Sequence, residues 1–89
     1  MPLTQHELEL KSTAVDLIRR QLLPAEAPKS IWAGRGSGEP CSLCGKAIDR
    51  TEVEYEFEAP GDDRTRGPFR FHLRCHALWQ LEVARLTEN

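Results

Sequence analysis

The chain has 89 residues and carries 12 Lys and Arg against 14 Asp and Glu, a net charge of -2. That balance excludes a general attraction to nucleic acid or to an anionic membrane, so either would need a local basic patch. One domain of this length also buries too little apolar surface to be generously stable without a staple, a metal or a partner.

The opening residues, Met1 to Glu7, lack the basic end and apolar core of a leader, and no run approaches the roughly 18 apolar residues of a membrane span. A cytoplasmic location is the expectation, with thiols reduced and free to hold metal. Thr4-Gln-His-Glu7 reads as a capping box, with Leu3 and Leu8 placed as a hydrophobic staple. The spacing predicts an amphipathic helix from Gln5 to Leu22 or Leu23, within an N-terminal segment 1–23. Leu8, Val15, Ile18 and Leu22 form its apolar stripe, with Leu10, Ala14 and Leu17 beside it. Asp16 and Arg20 form a favourable pair one turn apart. Pro24 is expected to stop the helix.

Residues 24–40 are rich in Pro, Gly, Ala and Ser and read as a linker or extended loop. Ile31 and Trp32 stand out in it, either as anchors to the core or as contacts offered to a partner. Gly34-Arg-Gly36-Ser-Gly38 fails as a phosphate loop, because no strand precedes it, no helix follows it and no Lys-Ser/Thr ends it.

Residues 41–89 carry the chemistry. Cys41-Ser-Leu-Cys44-Gly45 and His72-Leu-Arg-Cys75 each place two soft ligands three residues apart, the arrangement of a tetrahedral zinc site. The site would use all three cysteines, whose odd number also argues against a disulfide framework. His76 competes for the fourth position, but it follows Cys75 directly and points about 100° away on a helix, which favours His72 and leaves His76 as a polar residue at the helix edge. Between the pairs, Glu52-Val-Glu-Tyr-Glu-Phe-Glu58 alternates and predicts a strand with Val53, Tyr55 and Phe57 inward. Its four glutamates would form a solvated face, partly neutralised by Arg64, Arg66 or Arg70. A polar turn over 59–67 leads to a returning strand with Phe69 and Phe71 inward. A helix from about His72 to Thr87 would place Trp79, Val83 and Leu86 beneath the metal. Its second strip, Leu78 and Leu81, is expected to bury the N-terminal helix, within one chain or across a homodimer, making one cooperative unit.

A Cys-x-x-Cys-Gly knuckle, a β-hairpin and a helix whose first turn carries the second ligand pair resemble the treble-clef zinc-finger fold group. The Cys-x-x-Cys and His-x-x-Cys pairing is similar to the first zinc site of LIM domains. The 27 residues at 45–71 exceed the usual LIM spacing and no second site follows, so the likeness is to the fold group. It implies a small α+β, zinc-stabilised scaffold of the kind used for binding proteins or nucleic acids. Nucleases of the His-Asn-His type share the fold, but the histidine at the hairpin end here is His72, already assigned to the metal. Three thiolates and an imidazole close the zinc shell and leave a poor Lewis acid, so no enzyme is expected. The expected cofactor is one structural Zn2+ and the expected partner another protein. The alternative is nucleic acid, held by Arg64, Arg66, Arg70 and Arg74, with Lys46 and Arg50 in support.

Overall fold

In the computed structural model, which describes residues 4–26, 28, 30–58 and 68–87, helix α1 (Gln5–Arg19) begins at the expected capping box. The Glu7 N–H donates to Thr4 Oγ1 and the Thr4 N–H donates to Glu7 Oε1, both at 3.1 Å. Those bonds satisfy two of the orphan donors of the helix start and hold the Glu7 carboxyl below its usual range, the Thr4 backbone bond contributing most. Leu3, the other half of the expected staple, lies outside the described residues.

The helix stops at Arg19, earlier than Pro24 requires. Gln21 takes a left-handed conformation with φ 61°, and the N–H groups of Gln21 and Leu22 return to the carbonyls of Ile18 and Leu17 at 3.0 and 2.9 Å. This is a Schellman ending, with glutamine where glycine is usual. The consequence is a rotated apolar face. Leu22 falls past the helix end and is exposed, as is Leu8, while Leu10, Ala14 and Ile18 are buried and Leu23 is tucked in behind them.

The segment 24–40, expected to be a linker or extended loop, supplies a strand. Strands β1 (Trp32–Arg35), β2 (Val53–Phe57) and β3 (Phe69–His72) form one antiparallel sheet in the order β1-β2-β3. Trp32 pairs with Glu56 and Arg35 with Val53, and Phe57 pairs with Phe69 and Glu54 with His72. Just past β1, Gly36 donates to Glu52 O at 2.9 Å and Gly38 to Ile48 O at 2.8 Å. A Cβ on Gly36 would lie 1.9 Å from Asp49 O, so only glycine permits this approach.

Helix α2 (Leu73–Thr87) lies between the sheet and α1, packing on β2 and β3 and on α1. Trp79 is fully buried at the centre, with ring centroids 5.0 Å from Phe57 and 5.4 Å from Phe71. Its indole N–H donates to Pro24 O at 3.0 Å, which ties the chain after α1 to α2. On the other margin of α2, buried Glu82 pairs with Arg85 at 2.6 Å and reaches Lys11 of α1 at 3.8 Å. Buried charge is tolerated there because both cations are at hand.

Four expectations about faces need correction. Leu78 is buried beside α1, but Leu81 is 65% exposed, because it stands about 60° further round the helix, outside the arc that α1 covers. Val53 shares the inward face of β2 yet is 44% exposed, because it lines an open groove beside the first turns of α2 instead of being covered by them. Glu54, expected in solvent, is buried because partners meet it. Ser37 donates to its Oε1 from N at 3.1 Å and from Oγ at 2.7 Å, and Arg70 lies 3.8 Å from its Oε2. His76, expected at a polar helix edge, is buried and stacked 4.6 Å from Tyr55, with Phe71 and Trp79 also against it. No helix among the described residues is long and apolar enough to cross a membrane.

Candidate metal centre

Cys41 and Cys44 sit on a tight turn held by its own backbone. Gly45 N–H donates to Cys41 O at 2.9 Å, Cys41 N–H to Lys46 O at 2.8 Å, and Pro40 bridges to Ala47. Gly45 has φ 78°, the conformation such a turn needs and a side chain resists. The knuckle is fastened to the outer edge of β3, where Ser42 N–H donates to Arg70 O at 2.6 Å and Arg70 N–H to Ser42 Oγ at 3.0 Å. Leu43 and Ile48 are buried and anchor the two arms of the turn in the core.

The second pair comes from a junction of elements. His72 is the last residue of β3 and Cys75 lies in the first turn of α2. The expectation that both stand on the helix is corrected: the strand keeps His72 extended, and Phe71 is buried in the sheet just before it.

Ligand atoms of Cys41, Cys44, His72 and Cys75 all lie within 4.8 Å of one another. His72 Nδ1 is 3.4 Å from Cys44 Sγ and 4.0 Å from Cys75 Sγ. A tetrahedral ion with bonds of about 2.3 Å to sulfur and about 2.0 Å to nitrogen has an S···N edge of about 3.5 Å, so the observed separations fit one such ion. The other ring nitrogen, Nε2, faces Ala47 O at 3.3 Å and Glu52 Oε1 at 3.6 Å. Those acceptors hold the proton on Nε2 and leave Nδ1 free to ligate, the usual outer support of a metal-bound imidazole.

The electrostatics of the three thiols call for a cation. Cys41 is held down to about 4, chiefly by its hydrogen bond with Cys75 and, against the cost of burial, by N–H groups of Cys44, His72 and Leu43. Leu43 N–H lies 3.4 Å from Cys41 Sγ. Cys75 is driven strongly up, first by the Cys41 hydrogen bond and then by burial and by its two sulfur neighbours. Cys44 is raised as well, mainly by burial. One thiolate therefore opposes ionisation of the others, and a dication among them would reverse that order. All three cysteines are free of disulfides.

A groove of about 610 Å³ runs beside Cys44, His72 and Cys75, bounded by His6 and Leu10 of α1, Lys46, Arg74 and Val53. Among the described residues, none of the others singled out from the sequence joins the four donors. Ile31 and Trp32 are exposed at the sheet edge. Arg70 is occupied by Glu56 at 3.2 Å and by Glu54. Arg74 is exposed beside the groove, and its charge helps to lower the Glu7 carboxyl. Arg64 and Arg66 lie outside the described residues. His76 does not join the metal cluster. Sequence reasoning missed Glu52 and the Ala47 carbonyl as supports of His72. A zinc-bound histidine needs such a partner, but nothing local in the chain says which of four glutamates it is.

No family model, no curated protein and no solved structure matches this chain. What the site and its surroundings establish is a small α+β protein with a Cys3His cluster positioned to bind a metal ion.

Proposed function

We propose that the chain is a zinc-binding module of treble-clef type that holds one structural Zn2+ and serves as a protein-interaction or regulatory domain in the cytoplasm. The convergence of Cys41, Cys44, His72 and Cys75 at tetrahedral spacing carries this reading. Cys3His is a closed structural shell for zinc, and soft thiolates select it over calcium or magnesium. The order knuckle, paired strands, helix, with the last ligand in the first helical turn, supports the treble-clef comparison. Three thiolates and a neutral imidazole on a dication leave a charge of about -1, which suits scaffolding and disfavours polarising a substrate.

A nucleic-acid function finds less support. Of the four arginines expected to contact phosphate, Arg70 is engaged by Glu54 and Glu56, and the net charge offers no long-range pull.

Metal analysis of the purified protein should find one zinc per chain. Chelation, or Cys75→Ser, should remove most of its tertiary structure, since metal binding and folding are coupled in so small a module. No zinc, or two ions per chain, would refute the proposal. His72→Ala should lose metal far more readily than His76→Ala, and the opposite order would transfer the fourth ligand to His76.

A further inference from the structure

The two edges of the sheet are treated differently. At β3 the knuckle covers the edge through the Ser42 and Arg70 bonds. At β1 no strand follows among the described residues, and all four residues are exposed. The direction of the free groups follows from the ladder. Gly36 N–H points to Glu52, so with a period of two Gly34 and Trp32 also face β2, while the N–H and C=O groups of Ala33 and Arg35 point outward. An open row of alternating donors and acceptors is a template for another strand.

The side chains along this edge have a consistent polarity. Trp32 is 60% exposed and stands on one face of the sheet. Arg35 stands on the other, beside an open groove of about 770 Å³ that also takes in Arg50, Thr51 and the exposed Val53. Neither Arg35 nor Arg50 forms an ion pair among the described residues. Glu52 also lines this groove, but the nearby carboxylates are already engaged. Glu52 accepts from Asp49 N–H at 3.0 Å and faces His72, and Asp49 accepts from Thr51 N–H at 3.1 Å. Among the described residues, two guanidinium groups are thus left facing solvent beside the open outer edge of β1. Gly34 adds no bulk between them and Trp32, since a Cβ there would meet nothing within 4 Å.

We propose that the β1 edge binds an extended acidic segment of a partner protein by strand addition. Carboxylates on one face of the segment would meet Arg35 and Arg50, and apolar side chains on the other would pack on Trp32. The inference deepens the protein-interaction reading above and rests on it. A peptide suits the edge better than nucleic acid, because a phosphate backbone only accepts hydrogen bonds and would leave the outward carbonyls of Ala33 and Arg35 unmatched.

The test uses the full-length, zinc-loaded protein and two synthetic peptides of about eight residues, one alternating glutamate with valine and one alternating lysine with valine. Titration followed by backbone amide NMR should show the acidic peptide shifting Ala33 and Arg35, and the basic peptide leaving them in place. Arg35→Glu combined with Arg50→Glu should weaken the acidic peptide about tenfold and admit the basic one, as expected for two exposed ion pairs. Ala33→Pro deletes an outward N–H without touching the β2 ladder and should abolish binding, with zinc content unchanged.

Equal binding of both peptides, or no shift at β1 with either at millimolar concentration, overturns the proposal. So does tighter binding of a poly-thymidine oligonucleotide at the same residues, or a dimer in sedimentation that buries β1. Zinc per chain measured on the same samples separates the two layers: retained metal with a silent β1 edge defeats this inference alone, whereas peptide binding by a metal-free folded chain defeats the zinc reading alone.

Discussion

Replacing Gly36 with alanine tests whether the glycine-rich segment is part of the fold or a slack connection. The added methyl would sit 1.9 Å from Asp49 O and 2.5 Å from Ile48 O. Both are backbone atoms, so no side-chain rotation relieves the clash. Either β1 or the 48–49 backbone must move, and the Gly36 to Glu52 and Gly38 to Ile48 hydrogen bonds go with it. Overpacking costs about 1–3 kcal/mol, and two weakened hydrogen bonds add about 0.5–1.5 kcal/mol each, so a loss of about 3 kcal/mol is expected. For a domain of this size that lowers the melting temperature by about 12–24 °C. Gly34→Ala is the internal control, because its methyl would meet nothing and the substitution should fall within about 0.5 kcal/mol of the parent. Thermal and urea unfolding of the zinc-loaded proteins, followed by far-ultraviolet circular dichroism, would compare them. Equal stability of the two variants would refute the argument that Gly36 is held by close backbone approach.

Three further outcomes follow from the packing. Ile18→Asp should destabilise the zinc-loaded protein by about 3 kcal/mol or more in urea unfolding, whereas Leu81→Asp should change it by less than about 0.5 kcal/mol, since only Ile18 is buried. Glu52→Gln should lower zinc affinity about tenfold in chelator competition while leaving one ion per chain at saturation, because it weakens the support of His72 Nε2 and no ligand. Burial lowers the pKa of His76 from 6.5, so the unfolded chain takes up the proton first as pH falls. The stabilisation is complete above about pH 6.5 and declines below it toward the folded-state pKa. With zinc in excess, His76→Phe should flatten that part of the pH–stability profile, and an unchanged slope would place the effect elsewhere.

The four clustered donors could be read from the chain because each pair is local. Cys41 and Cys44 share one turn, His72 and Cys75 span a strand end and a helical turn, and only convergence of the pairs needed three dimensions. Helix α2 and the β2–β3 pairing were similarly visible in the alternation of Val53, Tyr55 and Phe57 and in the apolar spacing after Cys75. Strand β1 was not, since Trp32-Ala-Gly-Arg35 has no alternation of its own and becomes a strand by pairing with β2. Glu54 is buried by Ser37 and Arg70, 17 and 16 residues away, and no local pattern names such partners. The face of α1 was misread for a smaller reason. Once Gln21 turns left-handed, Leu22 leaves the helix, and the stripe that best fits the remaining turns runs through Leu10, Ala14 and Ile18.

The indole bond from Trp79 to Pro24 joins residues 55 apart, and the loop it closes encloses the whole stretch from Cys41 to Cys75. With a metal holding that stretch shut, the outer path shortens to the 17 steps from Pro24 to Cys41 and the four from Cys75 to Trp79, about 21 links. Closure entropy scales as (3/2)RT ln n, so the outer contact then costs about 0.9 kcal/mol less to form. Ordering of the chain around such an ion would therefore favour the seating of α1, and loss of the ion would loosen it. Amide exchange along α1 should accordingly register metal occupancy, although that helix donates no ligand to the site.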